Sequence, residues 1–148
     1  MLSLLNVYLP PPPESDRYRV GDTARVRLTL VNRGPTADAL VAVASPIVNK
    51  AAVHWDRGCD GIAEEVGRLP VTASGGVPVP PGASQYRHGP YYVQLTALLR
   101  EALAGTTLPV SFTFERAGTV SVAAKVQSFE PGEAAPAPWD CLAVNPPS

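Results

Sequence analysis

Residues 23–31 read TARVRLTLV, and this stretch decides the fold of the chain. The even-numbered positions from 24 to 30 are apolar, whereas the odd-numbered positions from 23 to 29 are threonine or arginine. Alternation with a period of two is typical of a β-strand that buries one face. The run NRGPT at 32–36 then predicts a turn, because Gly permits positive φ and Pro cannot continue a hydrogen-bonded ladder. A second strand is predicted over about 38–45.

The C-terminal half is predicted to contain a β-hairpin. Apolar residues alternate with polar or small residues over 108–114, the run ERAG at 115–118 predicts a turn, and alternation resumes over 120–126. Four shorter strands are predicted at 3–9, 51–55, 69–72 and 91–95.

Short strands that recur between prolines and glycines indicate an all-β fold, and the chain contains 17 Pro and 12 Gly. We therefore expect an antiparallel β-sandwich of the cupredoxin-like or immunoglobulin-like Greek-key type. The side chains predicted to fill the core between its two sheets are Leu28, Leu30, Val41, Val43, Phe112, Phe114, Val120 and Val122.

The remaining segments are predicted to lie outside the sheets. Residues 96–104 have helical spacing of leucines and stop at Gly105, which predicts a helix of about two turns. The four prolines at 10–13 predict a stiff polyproline II link. We expect one domain over residues 1–127, followed by an extended Pro-rich tail over 128–148 that is pinned to it.

The composition excludes several classes of partner. Charged residues make up 17% of the chain and the formal net charge is −1, so no broad field attracts nucleic acid or anionic lipid. No apolar run reaches the roughly 20 residues that a membrane-spanning helix needs. The chain by itself is therefore not expected to cross a membrane.

The two cysteines, Cys59 and Cys141, do not have the spacing of a metal site. In an exported protein they would form a disulfide that closes a loop of about 80 residues, worth roughly 4 kcal/mol on the chain-entropy model. The alternative is two free thiols. We expect the disulfide, which would pin the tail to the domain.

Several stretches together resemble the PCu(A)C copper chaperone family. Residues 37–46, ADALVAVASP, followed eight residues later by His54, are similar to the strand-turn-strand signature of that family. Residues 80–82, 89–95 and 112–118 resemble its Pro- and Gly-containing turn, its metal-binding strand and its closing hairpin. The resemblance covers about residues 23–126 and implies a β-sandwich.

The resemblance also implies a Cu(I) site made of two histidines and two methionines, since this soft ion prefers imidazole and thioether donors. His54 stands where the first histidine belongs, but Tyr92 and Gln94 fill the positions of the His-x-Met pair. Met1 is the only methionine of the chain. Three of the four ligands are thus absent, and a phenol or an amide does not replace a thioether for Cu(I).

The opening LLNVYL at 4–9 and the excess of ten arginines over two lysines also resemble the Lpq-type lipoproteins of the actinobacterial envelope. That resemblance implies an extracytoplasmic, secreted or lipid-anchored domain in the cell envelope, with the lipid anchor upstream of the sequence given.

Two candidate sites follow. His54 and a displaced His88 could bind a divalent metal, because neutral imidazole suits Cu(II) or Zn(II), whereas the simpler interpretation is a surface histidine.

Aromatic side chains with polar tips, together with arginine, are enriched in recognition surfaces. We predict a binding surface for an envelope protein or a cell-wall glycan. It consists of Trp55, Tyr86, Arg87, Tyr91, Tyr92 and Gln94. The alternative interpretation of this cluster is ordinary packing of Tyr91 between exposed neighbours.

No motif of an enzyme is present: the chain lacks Gly-x-Ser-x-Gly, a Gly-rich phosphate loop and His-Glu-x-x-His. We therefore expect a non-enzymatic extracytoplasmic binding or adaptor module with a largely lost copper site and no cofactor. The alternative is a metallochaperone that binds copper through a rearranged site including His54.

Overall fold

The computed structural model describes residues 2–12, 16–58, 62–78 and 90–128, and in these ranges it contains strands and turns but no helix. Within the same ranges, then, no helix exists that could span a membrane. The strands are β1 (Leu2–Leu9), β2 (Arg17–Tyr18), β3 (Ala24–Asn32), β4 (Asp38–Ala44), β5 (Val48–Trp55), β6 (Glu64–Val66), β7 (Leu69–Val71), β8 (Tyr91–Leu98), β9 (Ala102–Leu103), β10 (Thr107–Phe114) and β11 (Gly118–Val126).

Nine strands form one strongly curved sheet in the order β6-β5-β8-β3-β1-β11-β10-β4-β7, and β2 pairs with β9 beside it. The two ends of the order, β6 and β7, follow each other in sequence, so the sheet curls into an almost closed barrel. Its two halves face each other across one apolar cluster, as in a β-sandwich. The all-β prediction is confirmed.

Strand β1 joins the two halves. Leu2 to Leu5 pair with the end of β3, Tyr8 pairs with Arg27 of β3, and Tyr8 and Leu9 pair with β11 on the other side. The β1–β3 register shifts between Leu5 and Tyr8, a stretch in which Asn6 has a φ of 53°. The pairing of β1 with β11 is parallel, in contrast to the antiparallel pairing predicted throughout.

The alternation over residues 23–31 is present in β3. Residues Ala24, Val26, Leu28 and Leu30 are at most 2% exposed, and Phe112 and Phe114 on β10 are equally buried. Fully burying a Val, Leu or Phe side chain stabilises the fold by roughly 1.5–3 kcal/mol. The inward face of β3 is thus one wall of the core.

Two residues that the sequence predicts in the core do not lie in it. Val41 is only half-buried, because a bulge in β4 lets Val43 face Phe112 while Leu40, rather than Val41, packs near Phe114. Val120 is 40% exposed, because the first half of β11 pairs with β10 alone, and β1 joins only at its last two residues.

The predicted helix over residues 96–104 is wrong. Thr96 and Leu98 continue β8 by pairing with Lys50 and Val48, and β9 follows after a bend. Ala97 has a φ of 59°, which a helix does not contain. Pairing with β5 overrides the local helix propensity, and Leu98 remains buried.

The tail predicted at 128–148 lies, from residue 129 onward, outside the described residues.

The carboxylate of Asp38 holds the β10–β11 hairpin to the start of β4. Its Oδ1 accepts the backbone N–H groups of Ala39 and Arg116, both at 2.8 Å, and its Oδ2 accepts that of Ala117 at 3.0 Å. Burial by itself would raise the pKa of Asp38, but these hydrogen bonds outweigh burial, and the net pKa is lowered.

Candidate functional site

Four neighbouring strands place polar side chains in one row on the outside of the barrel. The β5–β8 register sets His54 opposite Tyr92, and the β5–β6 register sets Glu65 opposite His54. Arg25 on β3 reaches over Tyr92 from the other side. We call Glu65, His54, Tyr92 and Arg25 the outer row.

The Tyr92 ring is enclosed between two flat groups. The imidazole of His54 stacks on it with 5.2 Å between centroids and 7° between planes. The guanidinium carbon of Arg25 lies 4.5 Å from the centroid of the same ring. Since β8 lies between β5 and β3, these groups approach from opposite sides, and Tyr92 is only 7% exposed although it points outward.

The surroundings of His54 favour its neutral form. Desolvation lowers the pKa of the imidazole below its ordinary value, and the charges of Arg25 and Lys50 act in the same direction, whereas Glu65 opposes them. The carboxylate of Glu65 is itself 3.0 Å from the Lys50 ammonium, in an exposed pair that adds little stability.

Two aromatic residues of the predicted binding surface face the interior. Tyr91 is 3% exposed, and its hydroxyl oxygen accepts the N–H of Leu30 at 2.9 Å. Burial raises the pKa of this hydroxyl. Trp55 is 5% exposed, and the guanidinium of Arg57 covers its ring at 4.6 Å. Trp55 and Tyr91 therefore belong to the core, because strand alternation turns each of them away from its outward neighbour.

Of the predicted surface, Tyr92 and the partly buried Gln94 remain on the outside, with Gln94 opposite Arg25 in the β3–β8 register.

Tyr86, Arg87, His88, Cys59 and Cys141 lie outside the described residues. The second imidazole and the disulfide therefore stay predictions. In the part of the chain that the structure covers, no three His, Cys, Asp or Glu side chains come together to hold a metal ion.

The donors that the outer row offers do not match the set implied for Cu(I). It contains one imidazole, one carboxylate paired with Lys50 and a phenol whose ring is covered on both faces, but no thioether. The sequence placed Glu64 and Glu65 in a loop away from any histidine and did not assign Arg25 to a site, whereas the structure sets Glu65 opposite His54. The outward position of Arg25 is readable from the alternation over 23–31, whereas the short β6 around Glu65 has no such alternation. The proximity of both residues to His54 depends on which strands pair.

Solved structures similar to the chain include PCuAC domains. The apo PCuAC domain from PmoF1 matches with a TM-score of 0.63 and 22% identity over 86% of this chain and 94% of that one. The copper-bound PCuAC domain from PmoF2 matches with a TM-score of 0.63 and 19% identity over 86% and 93% of the two chains. For the solution structure of CuI-DR1885 from Deinococcus radiodurans the values are 0.59, 22%, 83% and 76%.

These likenesses show that the fold is of the PCuAC type, and at these identities they show the fold alone. No curated protein sequence matches the chain. A family profile described as "Putative lipoprotein LpqE-like", in contrast, matches residues 2–126, nearly all of the part that the structure describes. The chain belongs to the LpqE-like family of putative lipoproteins.

Proposed function

We propose that this chain is a non-enzymatic, extracytoplasmic binding module that uses the PCuAC fold to recognise a protein or a cell-wall component of the envelope. The family description as putative lipoprotein supports a location outside the cytoplasm, with a lipid anchor upstream of the sequence given. Two of the similar structures are described as PCuAC domains, one of them copper-bound, and the third is described as CuI-DR1885, which supports a binding role over catalysis.

The observation that carries the proposal is the enclosure of Tyr92 between His54 and Arg25. A stacked guanidinium keeps the N–H groups of its plane available to a partner. The same positive charge, close to His54, repels an incoming metal cation. The outer row is therefore better suited to contact a polar partner than to hold Cu(I).

A second candidate, a metallochaperone with a rearranged site, is favoured by His54 itself. Its side chain is partly exposed and its pKa is lowered, so the metal-binding neutral imidazole predominates at neutral pH. Such a site would draw further donors from His88 and a thiolate, in the part of the chain that the structure does not describe.

Competition of the protein with a Cu(I) chelator, alongside Cu(II) and Zn(II) titrations, distinguishes the two functions. Under our proposal no ion binds with a Kd below about 1 µM, and His54→Ala changes nothing. The double variant Tyr92→His with Gln94→Met should gain Cu(I) affinity in part. Submicromolar binding by the unmodified protein that His54→Ala abolishes would establish the metallochaperone instead.

The recognition role is tested by a photo-crosslinking residue placed at Gln94, with Ser121 on the exposed half of β11 as the control position. In envelope preparations we expect adducts from position 94 that Arg25→Gln diminishes. Equal adducts from both positions, or adducts that are insensitive to Arg25, would refute the outer row as the recognition surface.

A further inference from the structure

Basic side chains continue the outer row across the barrel surface. They are Arg25 and Arg27 on β3 and Lys125 on β11. Each of them stands between two residues that are at most 2% exposed, so strand alternation turns its side chain to the outside. Arg25 and Lys125 are exposed and Arg27 is half-buried. We call these three residues the basic strip.

Strand β1 brings the two parts of the basic strip close together. Tyr8 is opposite Arg27 in the β1–β3 register and opposite Lys125 in the β1–β11 register. The residue after Tyr8 is fully buried, so Tyr8 points outward. Because neighbouring strands lie about 4.8 Å apart, the backbones of Arg27 and Lys125 are about 10 Å apart. With Arg25 over Tyr92, tyrosines and cations alternate across four adjacent strands.

No carboxylate on these strands offsets the positive charge, since β8, β3, β1 and β11 contain no Asp or Glu. On β6, beyond β5, Glu65 is paired with Lys50, and alternation turns Glu64 to the other side of the sheet. The segments 16–23 and 99–101, which flank β3 and β8, carry equal numbers of basic and acidic residues: Arg17, Arg19, Arg100, Asp16, Asp22 and Glu101. The strip is therefore a local positive feature of a chain whose formal net charge is −1.

The chemistry of the strip suits a carboxylate. A guanidinium presents its N–H groups as a planar fork that matches the two oxygens of a carboxylate. Stacking over Tyr92 restrains the fork of Arg25, and the amide of Gln94, opposite Arg25 in the β3–β8 register, has further N–H groups to donate. Tyrosines beside arginine are typical of protein-recognition surfaces. Cations confined to two strands match a single peptide segment, whereas a bilayer or a nucleic acid is attracted by a broader field.

We propose that the outer row and the basic strip together bind an acidic segment of a partner protein. Arg25 binds one carboxylate of that segment and Lys125 binds a second. In an extended segment, side chains two residues apart point to the same side and lie about 7 Å apart, and the flexible stem of lysine covers the remaining distance. This partner rests on the proposed function, since it occupies the same site, and it adds Lys125, which lies outside the outer row.

NMR titration of the full chain tests the acidic partner. The probe is a capped peptide with Glu-Ser-Glu at its centre, and its control is the same peptide with Gln-Ser-Gln. We expect saturable backbone amide shifts at Arg25, Gln94 and Lys125 with the Glu peptide and none with the Gln peptide. Raising the ionic strength from about 0.01 M to about 1 M shortens the Debye length from about 30 Å to about 3 Å, so the affinity should fall at least about tenfold.

Variants that remove one charge locate the contacts. Arg25→Gln and Lys125→Gln should each weaken binding of the Glu peptide by roughly two- to fivefold, which is the size of one exposed ion pair. Arg33→Gln is the matched control and should leave the affinity unchanged, since Arg33 is exposed in the turn after β3, at the other end of that strand from Arg25. All three side chains are exposed, so their replacement leaves the core intact, and the amide spectrum of each variant reports its fold.

An absence of saturable shifts with the Glu peptide, equal binding of the Gln peptide, or unchanged affinity of Lys125→Gln would overturn the acidic partner. So would tighter binding of inorganic phosphate or of phosphatidylglycerol vesicles at the same residues, because the strip would then prefer phosphate to carboxylate. These results are separate from the crosslinking test of the outer row. If position 94 still gave Arg25-dependent adducts, the recognition role would stand and only the carboxylate partner would be refuted.

Discussion

Replacing Asp38 with Ala tests how the β10–β11 hairpin is attached to the barrel. The substitution removes an acceptor from three backbone N–H groups. Ala39 is fully buried, so its N–H would be left without a partner at a cost of roughly 1–3 kcal/mol. Arg116 and Ala117 are exposed, and water can replace the carboxylate there, so each adds about 0.5–1 kcal/mol. We expect a total destabilisation of about 3 kcal/mol.

The assay is urea unfolding followed by tryptophan fluorescence at pH 7, with an unchanged m-value showing that only stability has altered. The control is Asp22→Ala, since Asp22 is exposed and its carboxylate accepts the backbone N–H of Arg19 at 2.8 Å. The control should cost about 1 kcal/mol or less. A loss below about 1 kcal/mol for Asp38→Ala would refute our account of the hairpin.

The same variant has a defined pH dependence. The folded-state pKa of Asp38 lies below its ordinary value of 3.8, so its stabilisation is fully present above about pH 4 and is lost as the pH falls through the folded-state pKa. The stability difference between the unmodified protein and Asp38→Ala should therefore narrow in acid. A difference that widens below pH 4 would contradict the hydrogen-bonded carboxylate.

Three further predictions concern the outer row, the core and the cysteines. Tyr92→Ala should raise the pKa of His54 toward its ordinary value of 6.5, because the ring that desolvates it is gone, and NMR titration of the imidazole protons measures this. Phe112→Ala should cost roughly 3–5 kcal/mol in urea unfolding, whereas Val120→Ala should cost less than about 1 kcal/mol; equal costs would mean that the core is misassigned. Mass spectrometry of the unreduced, exported protein should find one disulfide, and two alkylatable thiols would refute it.

The sequence by itself determined the strand character of the chain and much of its core. Alternation over 23–31 and 108–114 identifies the buried face of each strand, because successive side chains point to opposite sides whatever the strand pairs with. The same rule, applied to 91–95, places Tyr91 inside and Tyr92 outside. The chain contains one methionine, so the shortage of the ligands implied for Cu(I) is also evident from the sequence alone.

Only the tertiary structure decided what depends on pairing. A bulge in β4 exchanges Val41 for Leu40 in the core, and the lack of a second neighbour exposes Val120; both follow from partners that are distant in sequence. The helix expected over 96–104 gives way to a strand for the same reason, since β5 supplies a hydrogen-bonding edge that local propensity does not reveal. The outer row likewise forms because β6, β5, β8 and β3 are neighbours in the sheet, and this order brings Arg25, Tyr92 and His54 into contact although they are far apart along the chain.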